Sequence, residues 1–390
     1  MRDEQATKKL MAAVRDLAPT IAGRGDDIER ERRVPLDLLA QLKEAGLLRM
    51  FVPRSHGGAE LDLRAGLDAF ETLARADGST AWAMMIGAES PQVLALLPRE
   101  RFDAIYAASP DVVLAGGSNV QGEAHVVDGG YRVTGKWAFA SGCEHADWLI
   151  GNCLVMQDGQ PRPGATPGTP ELRGMIFSAA SARVVDTWRV LGMRGTGSHD
   201  IAVEAQFVPA SDSIDLFMGA PSIAGPLFVA PVLHIVAHMA AVAVGIAQGA
   251  LDEATALAQG GKKRLFARAS LAESPVFQIH LGRAEMDVTA ARALVRAVGD
   301  EFWAACTSDP ASVPVTLPRL SAMLAWVTET SARVVDACYR AGGGGAARDA
   351  SPLQRRFRDI HTLAQHAAAA EGFLGQAGAL RLQQPTGFWS

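Results

Sequence analysis

Val133 to Leu149 reads VTGKWAFASGCEHADWL. Trp137, Phe139 and Ser141 alternate with Ala138 and Ala140, the two-residue period of a strand. That spacing predicts two aromatic rings and a hydroxyl on one face, with methyl groups behind. Such a face suits a flat ligand ring; it equally suits a sandwich strand whose Trp and Phe fill a core. Gly142 follows, where the backbone can turn tightly and leave Ser141 at the mouth of a site.

The same β-rich character extends to both sides. VVLAGG, AHVVDGGYRV, WLIGNCLV, RGMIFSA, ARVVDTW and IAVEAQFV are short runs punctuated by Gly, Asp and Pro, with a hairpin signal at Asp128-Gly129. No helix-length periodic run lies between them, so 111–221 reads as a central antiparallel β-barrel or sandwich domain. DGQPRPGATPGTP within it reads as a polar surface loop.

Residues 1–110 read as an N-terminal α-helical domain. Leu10, Val14, Leu17 and Ile21 recur at helical spacing, and Pro35 opens LDLLAQLKEAGLLRM, which closes on Gly46. A further helix over 63–76 stops near Asp77-Gly78, and Ser79 or Thr80 is the expected cap of the next one, TAWAMMIGAESPQVLALL. Residues 222–390 read as a C-terminal bundle of four long Ala-rich helices over 237–258, 276–306, 316–341 and 351–379. The apolar stretch 227–250 has the length of a membrane span, but it carries Pro231, His234, His238 and Gln248 without flanking charge clusters. It reads as a buried helix. The fold class expected is therefore α+β, with helices on both sides of a β domain.

Charged residues at 20% and a net charge of -5 leave no basic field for nucleic acid or an anionic membrane. A small molecule is the expected partner. Cys143, Cys153, Cys306 and Cys338 show no CxxC spacing and, with the charged start MRDEQATKKL, fit a reducing cytoplasm. GYRVTGKW imitates a phosphate loop until Trp137 replaces its Ser or Thr, and the glycine run 342–345 follows a helix where a dinucleotide turn would follow a strand. His234 and His238 lie four apart without an evident third ligand, so they read as core histidines and no metal is expected.

The helical/β/helical order, together with RRVPLDLLAQLKEAGLLRMFVPRSHGGAE, AVAVGIAQGALDEA and AGGGGAARDASPLQRRFRD, resembles the acyl-CoA dehydrogenase superfamily across nearly the whole chain. KWAFASGCEHADWL, DTWRVLGMRGTGSHD and RDIHTLAQHA resemble its flavin-dependent monooxygenase branch, the oxygenase components of two-component systems. The resemblance implies reduced flavin (FMNH2 or FADH2) from a separate NAD(P)H:flavin reductase, O2, a C4a-hydroperoxyflavin, and hydroxylation of an aromatic, polycyclic or amine small molecule. It also implies a homotetramer.

On the same resemblance, Ser141 and His366 are the expected catalytic residues. Trp137, Phe139, Ser141, Arg194, Ser198, Arg268, Gly343 and Gly344 are expected at the cofactor. His366 is placed on the helix from Arg356, on one face with Asp359 and Thr362. An imidazole there can move a proton at neutral pH. His361 falls on another face. Aligning TAWAMMIGAES with the Trp-containing run of aromatic hydroxylases sets Trp82 and Glu89 at the substrate, with a carboxylate where those enzymes carry a histidine. That departure puts a simple phenol in doubt and admits an amine. The alternative reading is an acyl-CoA dehydrogenase-like FAD protein. Its usual glutamate, nine residues after the Arg of the RD pair, is here Ala367, leaving Glu253 as a displaced base.

Overall fold

The computed structural model describes residues 2–263 and 267–385; Met1, 264–266 and 386–390, which the sequence reading includes in its two helical domains, lie outside the described residues. The chain opens with helices α1 (Arg2–Gly23), α2 (Gly25–Glu31), α3 (Leu36–Glu44), α4 (Leu63–Ala76), α5 (Gly78–Ala88), α6 (Ser90–Leu94) and α7 (Arg99–Tyr106). Asp62 caps α4 by accepting from Ala65 N at 2.8 Å, and Asp77 caps α5 by accepting from Thr80 N at 2.7 Å. The α5 cap is an aspartate rather than the Ser79 or Thr80 that follow it.

Strands β1 (Leu114–Val127), β2 (Gly130–Ala140), β3 (Trp148–Gln157), β4 (Gln160–Pro161), β5 (Leu172–Ser178), β6 (Arg183–Val185), β7 (His199–Pro209) and β8 (Ser213–Ile214) form one sheet in the order β6-β7-β2-β1-β3-β5-β8, with β4 on β3. Asp128-Gly129 makes the two-residue hairpin between β1 and β2, with Gly129 at φ +74. The sheet is mixed, where an antiparallel one was expected. A third strand after a hairpin runs in the direction of the first, and β3 crosses to lie against β1 instead of β2, so that pair is parallel.

The alternation at 137–141 also fails. Against β7, Trp137 pairs with Ile201 and Ala140 with His199, so β2 carries one extra residue there, a bulge. The bulge separates the two rings. Trp137 turns inward and is fully buried, its Nε1 donating to Asn152 O at 2.8 Å. Gly122, Gly135 and Gly151 bed its ring so closely that a Cβ on Gly151 would lie 2.3 Å from Trp137 Cε2. Trp137 is therefore the centre of the β core and does not face a ligand. Gly151→Ala should lower the unfolding free energy by about 2 kcal/mol through overpacking, read from the urea midpoint.

The C-terminal region comprises α8 (Leu233–Gln259), α9 (Pro275–Ser308), α10 (Val313–Gly342), α11 (Pro352–Leu363) and α12 (Gly372–Arg381). α8 is long and apolar enough to cross a membrane by composition, yet most of its apolar stretch is buried inside the protein. Small residues permit that burial: a Cβ on Gly245 would meet Glu71 O of α4 at 2.4 Å. The expected fourth long helix is interrupted between α11 and α12. The His366 imidazole captures Ala368 N–H at 3.2 Å, drawing that donor out of a helical ladder.

Candidate active site

α11 fixes the loop that joins β6 to β7. Asp359 Oδ1 accepts from Met193 N at 2.5 Å and Thr362 Oγ1 from Gly192 N at 2.9 Å, so the two side chains do share a helix face. Arg358 grips Glu29 of α2 with two bonds of 2.6 and 2.9 Å and also donates to Leu191 O. Gly192 leaves room for this contact, since a Cβ there would fall 2.1 Å from the Arg358 backbone.

From that loop a line of hydroxyls runs to Ser141. Thr196 Oγ1 donates to Met193 O at 2.9 Å, lies 2.6 Å from Ser198 Oγ, and Ser198 Oγ lies 2.7 Å from Ser141 Oγ. Trp82 Nε1 of α5 closes the line by donating to Ser141 Oγ at 3.1 Å. The Trp82 ring also meets the His366 ring edge-on, with centroids 5.6 Å apart. Trp82 thus brings Ser141 and His366 into one cluster from three separate regions of the chain.

His366 sits in the turn after α11, with extended backbone, and not on the helix itself. Its Nδ1 accepts from Ala368 N, so the neutral ring carries its proton on Nε2. His366 is exposed as a residue, while protein atoms gathered around its ring draw its pKa below the usual histidine value. His361 is tied to Asp336 at 2.9 Å on another face.

Phe139 is 64% exposed with φ +64, an unusual backbone for an aromatic residue, and stands edge-on to Trp188 at 6.3 Å. An exposed ring beside a hydroxyl has the shape and the polar side that a flat, amphipathic isoalloxazine requires. Phe139 and Ser141 fit a flavin edge, and Ser198 stands behind Ser141; Trp137 does not fit.

The remaining predicted residues lie apart. Arg194 is half-buried and donates to Val190 O at 3.0 Å, bracing its own loop. Arg268 is exposed in the link before α9, and Gly343 and Gly344 are exposed after α10, with Gly343 at φ +60. Among the described residues no hydrogen bond or ring contact ties these three to the Trp82 cluster. Glu89 is buried, not solvent-facing, and its carboxyl contacts His238 Nδ1. His238 stacks on Phe51 at 5.2 Å and meets Phe70 edge-on. Burial raises the Glu89 pKa well above the usual carboxylate range and lowers His238 to about 3, so both shifts favour an uncharged pair. A carboxyl engaged this way is not a free anion for an amine.

Thr196 and the grip of Asp359 on the 192–193 loop escaped the sequence reading; the Thr-x-Ser spacing in RGTGS is the signal that could have exposed the first. A recess of about 250 Å³ between Thr7, Asp62 and Trp303 shares no residue with the cluster.

Asp359 carries a measurable signature. Burial, reinforced by the Asp77 carboxyl, raises its pKa to about 7. The folded state then holds a proton that the unfolded chain releases near ~3.9, so the associated stability is present at low pH and lost as pH rises through 7. Asp359→Asn keeps an acceptor for Met193 N and does not titrate. Its stability relative to the parent should grow by about 2–3 kcal/mol between pH 5 and pH 8, read by urea unfolding. A pH-independent difference would contradict the assignment.

The sequence matches the family models "Acyl-CoA dehydrogenase, N-terminal domain" over residues 4–96 and "Acyl-CoA dehydrogenase, C-terminal domain" over 237–371. It is 32% identical to an indole-3-acetate monooxygenase of Pseudomonas putida, covering 96% of this chain and 92% of that one. It is also 32% identical to the flavin-dependent monooxygenase oxygenase subunit HsaA of Rhodococcus jostii, covering 90% and 92%. Among solved structures it superposes on XiaF from Streptomyces sp., described in complex with FADH2 and glycerol, with TM-score 0.88, 25% identity and coverage of 98% and 97%.

Proposed function

The chain belongs to the acyl-CoA dehydrogenase family, in its flavin-dependent monooxygenase branch, and from that premise we propose that Phe139 and Ser141 hold the reduced-flavin edge, with Ser198 backing Ser141 from within, while Trp82 and His366 face the substrate. The single observation that carries this reading is the contact that Trp82 makes with both Ser141 and His366. When bound, reduced flavin would supply the two electrons with which one atom of O2 enters the substrate and the other leaves as water.

The chain's own residues then have separable tasks. Phe139 offers its exposed ring for stacking, and Ser141 offers a hydroxyl to the polar flavin edge. Trp82 excludes water and fixes the spacing between that hydroxyl and the imidazole. His366, with its proton on Nε2, is placed to donate a hydrogen bond to substrate or to the atom transferred. α11 holds the Thr196–Ser198 loop in position.

A flat aromatic substrate is supported by the tryptophan-lined cluster and by the names of the relatives; an amine loses its support because Glu89 is engaged with His238. Glu253 does not support the acyl thioester reading, since among the described residues no hydrogen bond or ring contact ties it to the Trp82 cluster. A separate reductase is supported by the oxygenase-subunit name of the Rhodococcus relative. Exposed Val276, Ile279 and Met286 on α9 suit packing against further copies in a tetramer, and four buried, unpaired cysteines suit a reducing compartment.

The test is turnover under ¹⁸O2 with chemically reduced flavin and a panel of indole-3-acetate, a resorcinol-type phenol and an alkylamine. One labelled oxygen in an aromatic product is expected. Oxygenation of the amine alone, or product without label, would overturn the proposal.

A further inference from the structure

The hydroxyl line beside Ser141 has ends of fixed character. Trp82 Nε1–H can only donate and the Met193 carbonyl can only accept. Thr196 has one hydroxyl hydrogen, which goes to Met193 O at 2.9 Å. Ser198 must therefore give its hydrogen to Thr196 at 2.6 Å, and Ser141 must give its hydrogen to Ser198 at 2.7 Å. Trp82, at 3.1 Å, takes one acceptor position of Ser141. What Ser141 has left for a ligand is a lone pair.

The line reverses only as a whole. For Ser141 to donate outward while every hydroxyl keeps a neighbour, Ser198 must turn its hydrogen to Ser141 and Thr196 must turn its own to Ser198, releasing Met193 O. Met193 O would keep Trp188 Nε1–H at 3.0 Å, but its 2.9 Å contact with Thr196 Oγ1 would set two oxygen lone pairs against each other, in a buried place that no bulk water reaches. Reduced flavin carries a hydrogen on N5 and oxidised flavin presents a bare N5 lone pair there. An outward lone pair on Ser141 matches the first and opposes the second.

We propose that Thr196 and Ser198 are positioning residues that hold the Ser141 hydroxyl as an acceptor and thereby make the site discriminate reduced from oxidised flavin. The inference rests on the placement of the flavin edge at Ser141. It extends that placement by assigning the discrimination to two residues beyond Ser141.

The test is the ratio of dissociation constants for reduced and oxidised flavin, measured by anaerobic and aerobic fluorescence titration without turnover. In Thr196→Val the line loses its terminal link and Ser198 is free to point either way. In Ser198→Ala, Ser141 has no inward acceptor and can turn its hydrogen outward. Both variants should bind oxidised flavin about 10-fold more tightly than the parent while reduced flavin changes less than about 3-fold. Thr196→Ser, which restores the hydroxyl, should restore the parental ratio. Parental ratios in both Thr196→Val and Ser198→Ala, or a parent without discrimination, would overturn the polarity assignment. Ser141→Ala separates the two levels: unchanged affinity for both redox states there would remove the flavin edge from Ser141, and the polarity proposal with it.

Discussion

Ser141→Ala is expected to lower the product formed per reduced flavin oxidised by about 10- to 100-fold, with hydrogen peroxide accounting for the difference. The hydroxyl, on the residue that directly follows β2, meets both the buried Ser198 and the Trp82 indole. Its removal leaves the open side of the cluster without a hydrogen-bonding group at the flavin edge and costs Trp82 Nε1 its acceptor. An unpaired buried donor costs about 1–3 kcal/mol, so a small fall in melting temperature should accompany the loss of coupling. Product by chromatography and peroxide by a coupled peroxidase assay, on the same reaction, check both. An unchanged ratio of product to peroxide would remove Ser141 from the chemistry.

His366→Ala should reduce the rate of product formation by about 100-fold, the range of a lost proton-transfer or hydrogen-donating group. The tautomer sharpens this expectation. Because Nδ1 is engaged by Ala368 N–H, the neutral ring faces outward with Nε2–H, a donor and not a base. His366→Gln can still donate, so it should lose only about 10-fold. The parent should lose activity on the acid side, below the ordinary histidine value of about 6.5, as the ring protonates and surrenders its Ala368 bond. The Gln variant has no such limb. A base role would give the opposite pattern, with Gln as inactive as Ala.

Much of the architecture was legible because hydrophobic periodicity changes near 110 and again near 222. Ser141 and His366 were legible through resemblance, but what joins them was not. Trp82 lies on α5, remote in sequence from both, and only the packing of that helix on the β domain reveals the contact. The pair Trp137 and Phe139 shows a different failure. Strict alternation assumes a regular strand, and the bulge opposite 199–201 sends one ring into the core and the other to the surface. The three glycines that bed Trp137 were visible as letters, yet their common target becomes evident only when β1, β2 and β3 are aligned. Similarly, His366 continued a helical period on paper, and a single side-chain bond to Ala368 N ends that period. Glu89 was expected at a wall of the site; it is withdrawn to His238 because α8 packs against α4 and α5 with an imidazole at that level.

The central claim is that the Trp82 cluster holds reduced flavin while oxygen reacts and is transferred. The most direct measurement is rapid mixing of the protein, loaded anaerobically with reduced flavin, against oxygenated buffer with and without an aromatic substrate, while absorbance is recorded. The account predicts a near-ultraviolet-absorbing species that precedes the oxidised-flavin band and is short-lived in Ser141→Ala. Oxidised flavin appearing at once, at the rate of free flavin and whether or not substrate is present, would contradict it.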